Sequence, residues 1–274
     1  MQSCRVDGFG KVNSLCFQSL SDMPSANSNY ESQQLLDEYL LFHYGTAEEI
    51  LPYPFGPHAA LNFPSRCVAE LVDTTALSAN ARGLEIGCAV GRASFELARS
   101  CASVVGIDYS KTFIQAATTL AADGQLAYRR LESGNTYTDC IAHVEPAVDR
   151  SRVCFEQGDA QNLRDDLGQF EVVLACNLIC RLAEPTRLLK RLPDLVKPGG
   201  QLVITTPFTW LETYTPAAHW LGTHHAGDSF AGLRGGLEGC FDLLEVKDMP
   251  FLIREHVRKF QWSVAQASIW RRQH

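Results

Sequence analysis

Two hydrophobic periods alternate along most of this chain, and the change from one to the other marks the predicted elements. From about residue 82 onward, runs that are almost wholly apolar, such as GLEIG and SVVGIDY, are followed by stretches of helical period, such as RASFELARS and KTFIQAATTLAA. Strands that are apolar throughout are typical of a parallel sheet covered on both faces. The alternation therefore predicts an α/β fold with a doubly wound, mostly parallel sheet.

The remaining strands complete a sheet of seven. Three more apolar runs are VCFEQGD, FEVVLACN and GQLVITTPF, with the helical stretch TRLLKRLPDLV before the last. Two long strand-like runs, FDLLEVKDMPFLIREH and KFQWSVAQASIWRR, then follow each other with no helix between them. Consecutive strands joined by a short turn pair antiparallel, so we expect an antiparallel pair at one edge of a Rossmann-like sheet.

The chain divides into three predicted parts. Residues 1–29 are rich in Ser, Asn and Gly and predict a flexible leader. Residues 30–80 predict a helical cap, with one helix over about residues 30–44 and a second over about 65–76. Residues 81–274 predict the main domain. It contains two long insertions at strand ends, 124–151 and 209–239, and the aromatic-rich second one is predicted to be a lid.

Composition excludes several classes of function. The 274 residues carry a formal net charge of −7, which argues against a nucleic-acid partner. No apolar run approaches the length of a membrane span, and no signal peptide is recognisable. Ten cysteines are scattered without a C-x-x-C pair or zinc-site spacing, so we predict no metal, a reducing cytoplasmic setting and cysteines that pack as small apolar side chains.

A glycine loop carries the strongest local signal. In LEIGCAVGRASFELA a strand ends at Ile86, Gly87 and Gly91 follow, and a helix begins directly afterwards. Glu85 precedes the loop, and Asp108 ends the next strand, where an acid can accept hydrogen bonds from a ribose diol. Enzymes that bind NAD share these features, so the loop alone indicates only a nucleoside cofactor. The spacing nevertheless departs from the G-x-G-x-x-G fingerprint of those enzymes.

Later segments favour one nucleoside cofactor. Asp159 ends the third strand, Asn177 follows the fourth, and KPGGQLVITTP is a tight turn that leads into the fifth. In this order the segments resemble the motifs of class I S-adenosylmethionine-dependent methyltransferases over about residues 82–207. The resemblance implies S-adenosylmethionine as cofactor and S-adenosylhomocysteine as product. An NAD or FAD enzyme is the disfavoured alternative.

The same resemblance assigns cofactor roles to individual residues. Glu85 would hold the loop and orient the methionine amino group, Asp108 would take the ribose hydroxyls, and Asn177 with Leu178 would face the sulfonium. The remaining contacts of the methionine, ribose and adenine would come from Gly87, Cys88, Ala89, Gly91, Tyr109, Asp159 and Ala160. Ala89 replaces a glycine found in many members, which costs little provided that the residue needs no positive φ.

Segments outside the cofactor core indicate the acceptor. LLDEYLLFHYG, LPYPFGPHAALNFPSRC and PFTWLETYTPAAHWLG resemble the C-terminal methyltransferase domain of ovothiol-biosynthesis enzymes, the 4-mercaptohistidine imidazole N-methyltransferases. The resemblance covers about residues 30–272. It implies methyl transfer to an imidazole nitrogen of the small molecule 5-thiohistidine. In the fused enzymes a sulfoxide synthase precedes this domain. We expect either a stand-alone methyltransferase, linked in function to a separate synthase, or an isolated domain, and in both cases no membrane partner.

Several residues are candidates for handling that acceptor. His43, Tyr44 and His219, with Glu212 behind them, are the candidates for securing the imidazole tautomer or accepting its proton. Arg66 and Arg181 are the candidate partners of the substrate carboxylate, since a guanidinium binds a carboxylate with two hydrogen bonds. Tyr214 and Trp220 are expected to line the pocket. Packing explains His43 equally well, and a simple ion pair explains Arg66.

Three functions remain open from the sequence alone. The first is thiohistidine N-methylation. The second is the same chemistry on a related small molecule such as 5-selenohistidine. The third is a domain that binds the cofactor and scaffolds a partner without activity, which the intact loop and acids disfavour.

Overall fold

The computed structural model describes residues 31–274, so the predicted leader lies outside the described residues. The helices among them are α1 (Gln33–Tyr44), α2 (Ala47–Ile50), α3 (Phe63–Ala69), α4 (Arg92–Leu97), α5 (Lys111–Asp123), α6 (Pro185–Leu195) and α7 (Ser229–Leu237). The strands are β1 (Arg82–Ile86), β2 (Ser103–Asp108), β3 (Gln125–Ser133), β4 (Thr136–His143), β5 (Val153–Gln157), β6 (Phe170–Cys176), β7 (Val196–Thr206), β8 (Phe241–His256) and β9 (Lys259–Arg272).

Seven of these strands form one sheet in the order β5-β2-β1-β6-β7-β9-β8. β5, β2, β1, β6 and β7 pair in parallel, and β9 runs antiparallel to both β7 and β8. The predicted α/β class, the mostly parallel seven-stranded sheet and the antiparallel pair at one edge are confirmed. Strand order reverses between β1 and β6, which is where open α/β sheets bind their ligands.

Two apolar cores cover the two faces of the sheet. One core combines side chains of α1, α3, α4 and α5 with β8 and β9, and the other combines α6 and α7 with the opposite faces of β6 and β7. The helices α1 and α3 share a core with the cofactor-binding elements. The domain boundary between residues 80 and 81 stays a prediction.

Local signals explain where the first helices begin. The Ser32 side chain accepts a hydrogen bond from Leu35 N at the start of α1, and α1 ends at Tyr44, before Gly45. Thr46 and Glu49 then form a reciprocal capping box at the start of α2. The predicted second helix is shorter than expected: α3 ends at Ala69, and Asp73 caps a separate 3-10 turn over Thr74–Ala76.

The first insertion contains structure that the hydrophobic pattern did not predict. β3 and β4 pair as an antiparallel hairpin that stands apart from the main sheet. Its strands are short of apolar residues, since one reads QLAYRRLES, and half-exposed strands of this kind lack the signal of a buried strand.

No helix of the described chain is long and apolar enough to cross a membrane.

Candidate cofactor and acceptor site

A cavity of about 760 Å³ opens at the carboxyl ends of β1, β2 and β6 and extends beneath α1 to β8 and β9. Sites for small molecules usually measure roughly 300–1,000 Å³, so the cavity has room for a nucleoside cofactor and a small second ligand. We call the part beside the glycine loop the cofactor half. Its lining includes Glu85, Gly87, Ala89, Asp108, Tyr109, Asp159, Ala160, Asn177 and Leu178.

The glycine loop has a left-handed backbone at three positions. Gly87, Ala89 and Gly91 have φ values of 78°, 47° and 86°. The condition under which Ala89 would be an inexpensive replacement for glycine is therefore not met, because a residue with a Cβ is strained at positive φ. The Ala89 N–H donates to Asp108 Oδ2 at 2.8 Å, and this charged acceptor helps to hold the strained turn.

The two glycines have different packing requirements. A Cβ at Gly87 would lie 3.0 Å from Leu178 Cδ1, directly at the cavity wall. A Cβ at Gly91 would lie 2.4 Å from Phe155 Cζ, closer than a van der Waals contact between two carbon atoms. Gly91 and the fully buried Cys88 do not line the cavity. They support the shape of the loop without lining the cavity.

Asp108 is fixed by backbone donors at the end of β2. Its Oδ1 accepts from Ser110 N at 2.9 Å, while its Oδ2 accepts from Ala89. Burial raises the pKa of Asp108 to about 6, against the effect of these donors. The carboxyl group is thus positioned at the cavity, and with this pKa it is mostly ionised at neutral pH.

Glu85 is a buried acid at the end of β1. Ser94 Oγ donates to its Oε2, and burial raises the pKa of Glu85 to about 8. Glu85 therefore carries a proton at neutral pH when no cation is near it, because desolvation disfavours the charged carboxylate. A cation bound in this half of the cavity would reverse that preference.

The ends of β5 and β6 complete the cofactor half. Asn177 has a φ of 52°, and its N–H donates to Thr205 O at 2.7 Å. Thr205 Oγ1 donates to Asn177 Oδ1 at 3.1 Å, which fixes the amide. Asp159 Oδ1 accepts from Gln161 N at 2.8 Å. The ring of Tyr109 is 53% exposed at the cavity edge, a surface suited to stacking against a flat ligand.

The other part of the cavity, which we call the acceptor half, is walled by α1, β8 and β9. Sequence analysis identified His43 and Tyr44 in these elements, and of the two only His43 lines the cavity. The side chains from α1 are Gln34, Leu35, Glu38, Tyr39, Phe42 and His43; those from β8 and β9 are Phe251, Ile253, Glu255, Gln261 and Ser263. The four-residue spacing of Gln34, Glu38 and Phe42 was a usable signal, because it places two polar side chains and an aromatic ring on one helix face.

His43 lines this half, and one of its ring nitrogens is unsatisfied. Its Nδ1 is buried and has no hydrogen-bond partner among residues 31–274. Burial, together with the charge of Arg92, lowers the pKa of His43 to about 3, so the imidazole is neutral at neutral pH. The ring stacks on Tyr39 at 6.0 Å between centroids. A buried polar atom without a partner is rare and suits a ligand contact.

Tyr44, the residue next to His43, has another environment. It does not line the cavity, and its hydroxyl donates to Val90 O at 2.7 Å. Burial raises its pKa well above the ordinary tyrosine value. The hydrogen bond ties the end of α1 to the glycine loop, so the geometry gives Tyr44 a supporting position.

Arg181 and Tyr214 lie at the cavity as the sequence predicted. The Arg181 guanidinium lies 5.0 Å from the centre of the Tyr214 ring and donates to Thr209 O at 2.9 Å. The second insertion therefore contributes to the wall, as expected of a lid, through Thr209, Leu211 and Tyr214.

Three other candidates lie away from the cavity because structural partners engage them. Arg66 pairs with Glu70 at 2.6 Å and donates to the carbonyl oxygens of Ala59 and Pro250. The ring of His219 contacts Ala183 O through Nδ1 at 2.8 Å. Trp220 Nε1 donates to Thr215 O, and the indole stacks on Trp210. Neither these residues nor Glu212 line the cavity.

No group of three or more His, Cys, Asp or Glu side chains in the described part of the chain could hold a metal ion. The eight cysteines within residues 31–274 are free thiols. Five of them are buried, which matches their expected packing role.

Comparison with known proteins decides the family. A model of the methyltransferase domain family matches residues 59–234. The chain belongs to this family. The matched region runs from α3 through α7 and includes the whole cofactor half of the cavity, and the cofactor of these class I methyltransferases is S-adenosylmethionine.

Curated relatives of this methyltransferase are distant. The ubiquinone biosynthesis O-methyltransferase of Xanthomonas euvesicatoria pv. vesicatoria is 26% identical over 187 residues, covering 63% of this chain and 66% of the relative. The protein of the same name from Azorhizobium caulinodans is 30% identical over 125 residues, covering 46% of this chain and 40% of the relative. The chain thus spans less than two thirds of the length of these relatives.

Among solved structures, the N-methyltransferase NodS from Bradyrhizobium japonicum WM9, in complex with S-adenosyl-L-homocysteine, is similar with a TM-score of 0.50. The match is 14% identical and covers 89% of this chain and 100% of NodS. At this identity the likeness shows the fold alone.

The residues of this methyltransferase fit its cofactor. Positive φ values at Gly87 and Ala89 bring backbone to the cavity wall, and Asp108 offers a carboxylate held by two backbone donors. Glu85 is a buried acid whose raised pKa leaves it ready to ionise beside a cation. S-adenosylmethionine carries two cationic groups and a ribose diol, which are the complements of these acids.

Proposed function

We propose that this chain transfers a methyl group from S-adenosylmethionine to an imidazole nitrogen of 5-thiohistidine, with S-adenosylhomocysteine as the second product. One observation carries the proposal. The segments that resemble the 4-mercaptohistidine N-methyltransferases supply much of the cavity wall across from the glycine loop, through α1, Phe63 and Pro64, and the stretch from Pro207 to Tyr214. The resemblance is therefore concentrated where an acceptor would bind.

The cofactor half would bind the methyl donor. Asp108 would accept hydrogen bonds from the ribose diol, Glu85 would favour the positive charge of the methionine end, and Asp159 with Tyr109 would frame the adenine. When bound, the cofactor supplies an electrophilic methyl group on a sulfonium, whose departure leaves a neutral thioether. Cys176, Asn177 and Leu178 line the cavity at the end of β6, which we take as the junction of the two halves.

The acceptor half would hold and orient the imidazole. Methyl transfer to nitrogen requires a free lone pair aligned with the methyl group, so positioning supplies most of the catalysis. The neutral His43 ring offers a buried Nδ1 that can fix the tautomer of a neighbouring imidazole by one hydrogen bond. Arg181 can bind the substrate carboxylate from the other side of the junction.

A methyl-transfer assay tests the proposal. Purified protein is incubated with S-adenosylmethionine and either 5-thiohistidine, 5-selenohistidine, histidine or a catechol-type phenol, and products are identified by mass spectrometry with fragmentation. We expect one methyl group on a ring nitrogen of thiohistidine. Methylation of selenohistidine alone would move the proposal to the selenium compound, while methylation of the phenol alone would assign O-methylation. Bound S-adenosylhomocysteine with no methylated histidine derivative would overturn the proposal.

A further inference from the structure

One face of α1 presents an amide and a carboxylate side chain to the acceptor half. Gln34, Glu38 and Phe42 follow at four-residue spacing and therefore lie on one helix face. All three line the cavity, and the ring of Phe42 lies 6.4 Å from that of Phe251 on β8. This helix face therefore lies across the cavity from the antiparallel pair β8–β9.

The opposite wall is also polar at this end. Ile253 pairs with Gln261 in the register of β8 and β9, and Glu255 follows Ile253. Glu255 is anchored on both oxygens: Lys259 Nζ lies 2.6 Å from Oε2, and Gln261 Nε2 donates to Oε1 at 3.0 Å. Its carboxylate is thus held in place at the cavity wall.

Glu38 is less well satisfied than Glu255. Its Oε1 accepts from Gln34 Nε2 at 3.0 Å, and no donor to its Oε2 occurs among residues 31–274. Burial raises the pKa of Glu38, the hydrogen bond from Gln34 and the charge of Lys259 lower it, and the charge of Glu255 raises it. Lys259 pairs with Glu255 but forms no ion pair with Glu38, so among residues 31–274 Glu38 is the carboxylate of the two that can still take a cationic partner.

Aromatic rings flank the same carboxylates. Phe42 and Phe251 stand beside the polar stripe, and Tyr39 lies one residue from Glu38. Ring faces attract cations, and the effect strengthens where water is excluded. Five residues beyond Glu38 on α1, His43 also lines the cavity, and its buried Nδ1 has no hydrogen-bond partner among residues 31–274.

We propose that Glu38, backed by Glu255, binds the ammonium group of the methyl acceptor and makes this methyltransferase selective for amine-bearing substrates. The inference rests on the proposed function, since thiohistidine carries an α-ammonium group, and it adds a residue that sets specificity. Ammonium at Glu38 and carboxylate at Arg181 would hold the amino-acid end at two points. A neutral phenol offers Glu38 no such partner.

Binding, measured apart from turnover, tests the proposal. Isothermal titration of the S-adenosylhomocysteine complex compares 5-thiohistidine with its desamino analogue, in which hydrogen replaces the α-amino group. We expect the wild-type protein to bind the desamino analogue about 10- to 100-fold more weakly, the range for one charged hydrogen bond. The variant Glu38→Gln should bind thiohistidine more weakly by a similar factor and the desamino analogue as the wild type does.

Matched measurements separate the outcomes. Glu48→Gln removes an exposed carboxylate of α2 outside the cavity and should leave both affinities unchanged. Equal wild-type affinity for the two ligands, or no binding of either, would overturn the ammonium site. Turnover of thiohistidine is scored separately: an amine preference that depends on Glu38, without methyl transfer, would support the site and overturn the proposed reaction.

Discussion

The cofactor half and the acceptor half of the cavity are built in different ways. In the cofactor half, Glu85, the glycine loop and Asp108 come from two successive strand–turn units, and backbone hydrogen bonds fix their positions. In the acceptor half, Glu38 and Glu255 come from opposite ends of the described chain and meet because α1 packs against β8. The first arrangement is local in sequence, and the second exists only after folding.

Because of this difference, the residues that bind the cofactor and the residues that select the acceptor can vary independently. A strand–turn–helix unit reproduces the same cofactor geometry wherever its few small residues and acids recur. Side chains on α1, β8 and β9 can change without disturbing that unit. Four substitutions or conditions, taken from the largest expected effect to the smallest, test this separation.

Gly91→Ala should cause the largest loss, because it combines overpacking against Phe155 with a positive φ. We expect a decrease of about 3 kcal/mol in the free energy of unfolding, measured by urea denaturation. Gly134→Ala is the matched control, since Gly134 also has a positive φ but has no atom within 4 Å of a built Cβ. It should lose about 1 kcal/mol. Equal losses would show that packing behind the loop is unimportant.

Asp108→Ala should weaken cofactor binding by about 1.5–3 kcal/mol, the range for charged hydrogen bonds. Calorimetry with S-adenosylhomocysteine measures the change. Asp149→Ala, at an exposed turn outside the cavity, serves as the control and should bind normally. Unchanged affinity in Asp108→Ala would mean that the ribose lies elsewhere.

The affinity for cofactor should rise with pH because of Glu85. The free protein keeps this carboxyl protonated below its pKa of about 8, whereas a bound cation favours the ionised form, so binding releases a proton. Between pH 6.5 and 7.5 the affinity should increase by up to about tenfold, one pKa unit's worth of free energy. Titration in buffers of different ionisation enthalpy counts the proton. Glu85→Gln should flatten the profile; a flat wild-type profile would contradict the mechanism.

His43→Phe should affect only the acceptor half. We expect kcat/KM for the acceptor to fall by about 2- to 12-fold, the value of one neutral hydrogen bond, with unchanged affinity for S-adenosylhomocysteine. Tyr44→Phe, one residue away, should instead lose stability through its bond to Val90 and keep its kcat. Reversed effects in the two variants would make Tyr44 the residue that acts on the acceptor.

Much of the cofactor half could be predicted from the sequence. Alternating apolar runs determined the order of strands and helices, and the positions of Glu85, Asp108 and Asp159 at strand ends placed them at one edge of the sheet. Local sequence did not reveal that Ala89 adopts a positive φ, since that conformation depends on the bond from Ala89 N to Asp108. Nor did it show that Gly91 faces Phe155 of another strand.

In the acceptor half, tertiary packing determines which side chains line the cavity. His219, Trp220 and Arg66 had suitable chemistry, but each side chain is engaged by a nearby structural partner. Glu38 and Glu255 were not among the candidates identified from the sequence. The sequence by itself determined the sheet, the glycine loop and the class of cofactor, because these depend on local periodicity and spacing. Only packing of α1 on β8 decided which side chains face the acceptor, because that contact joins residues that no local pattern relates.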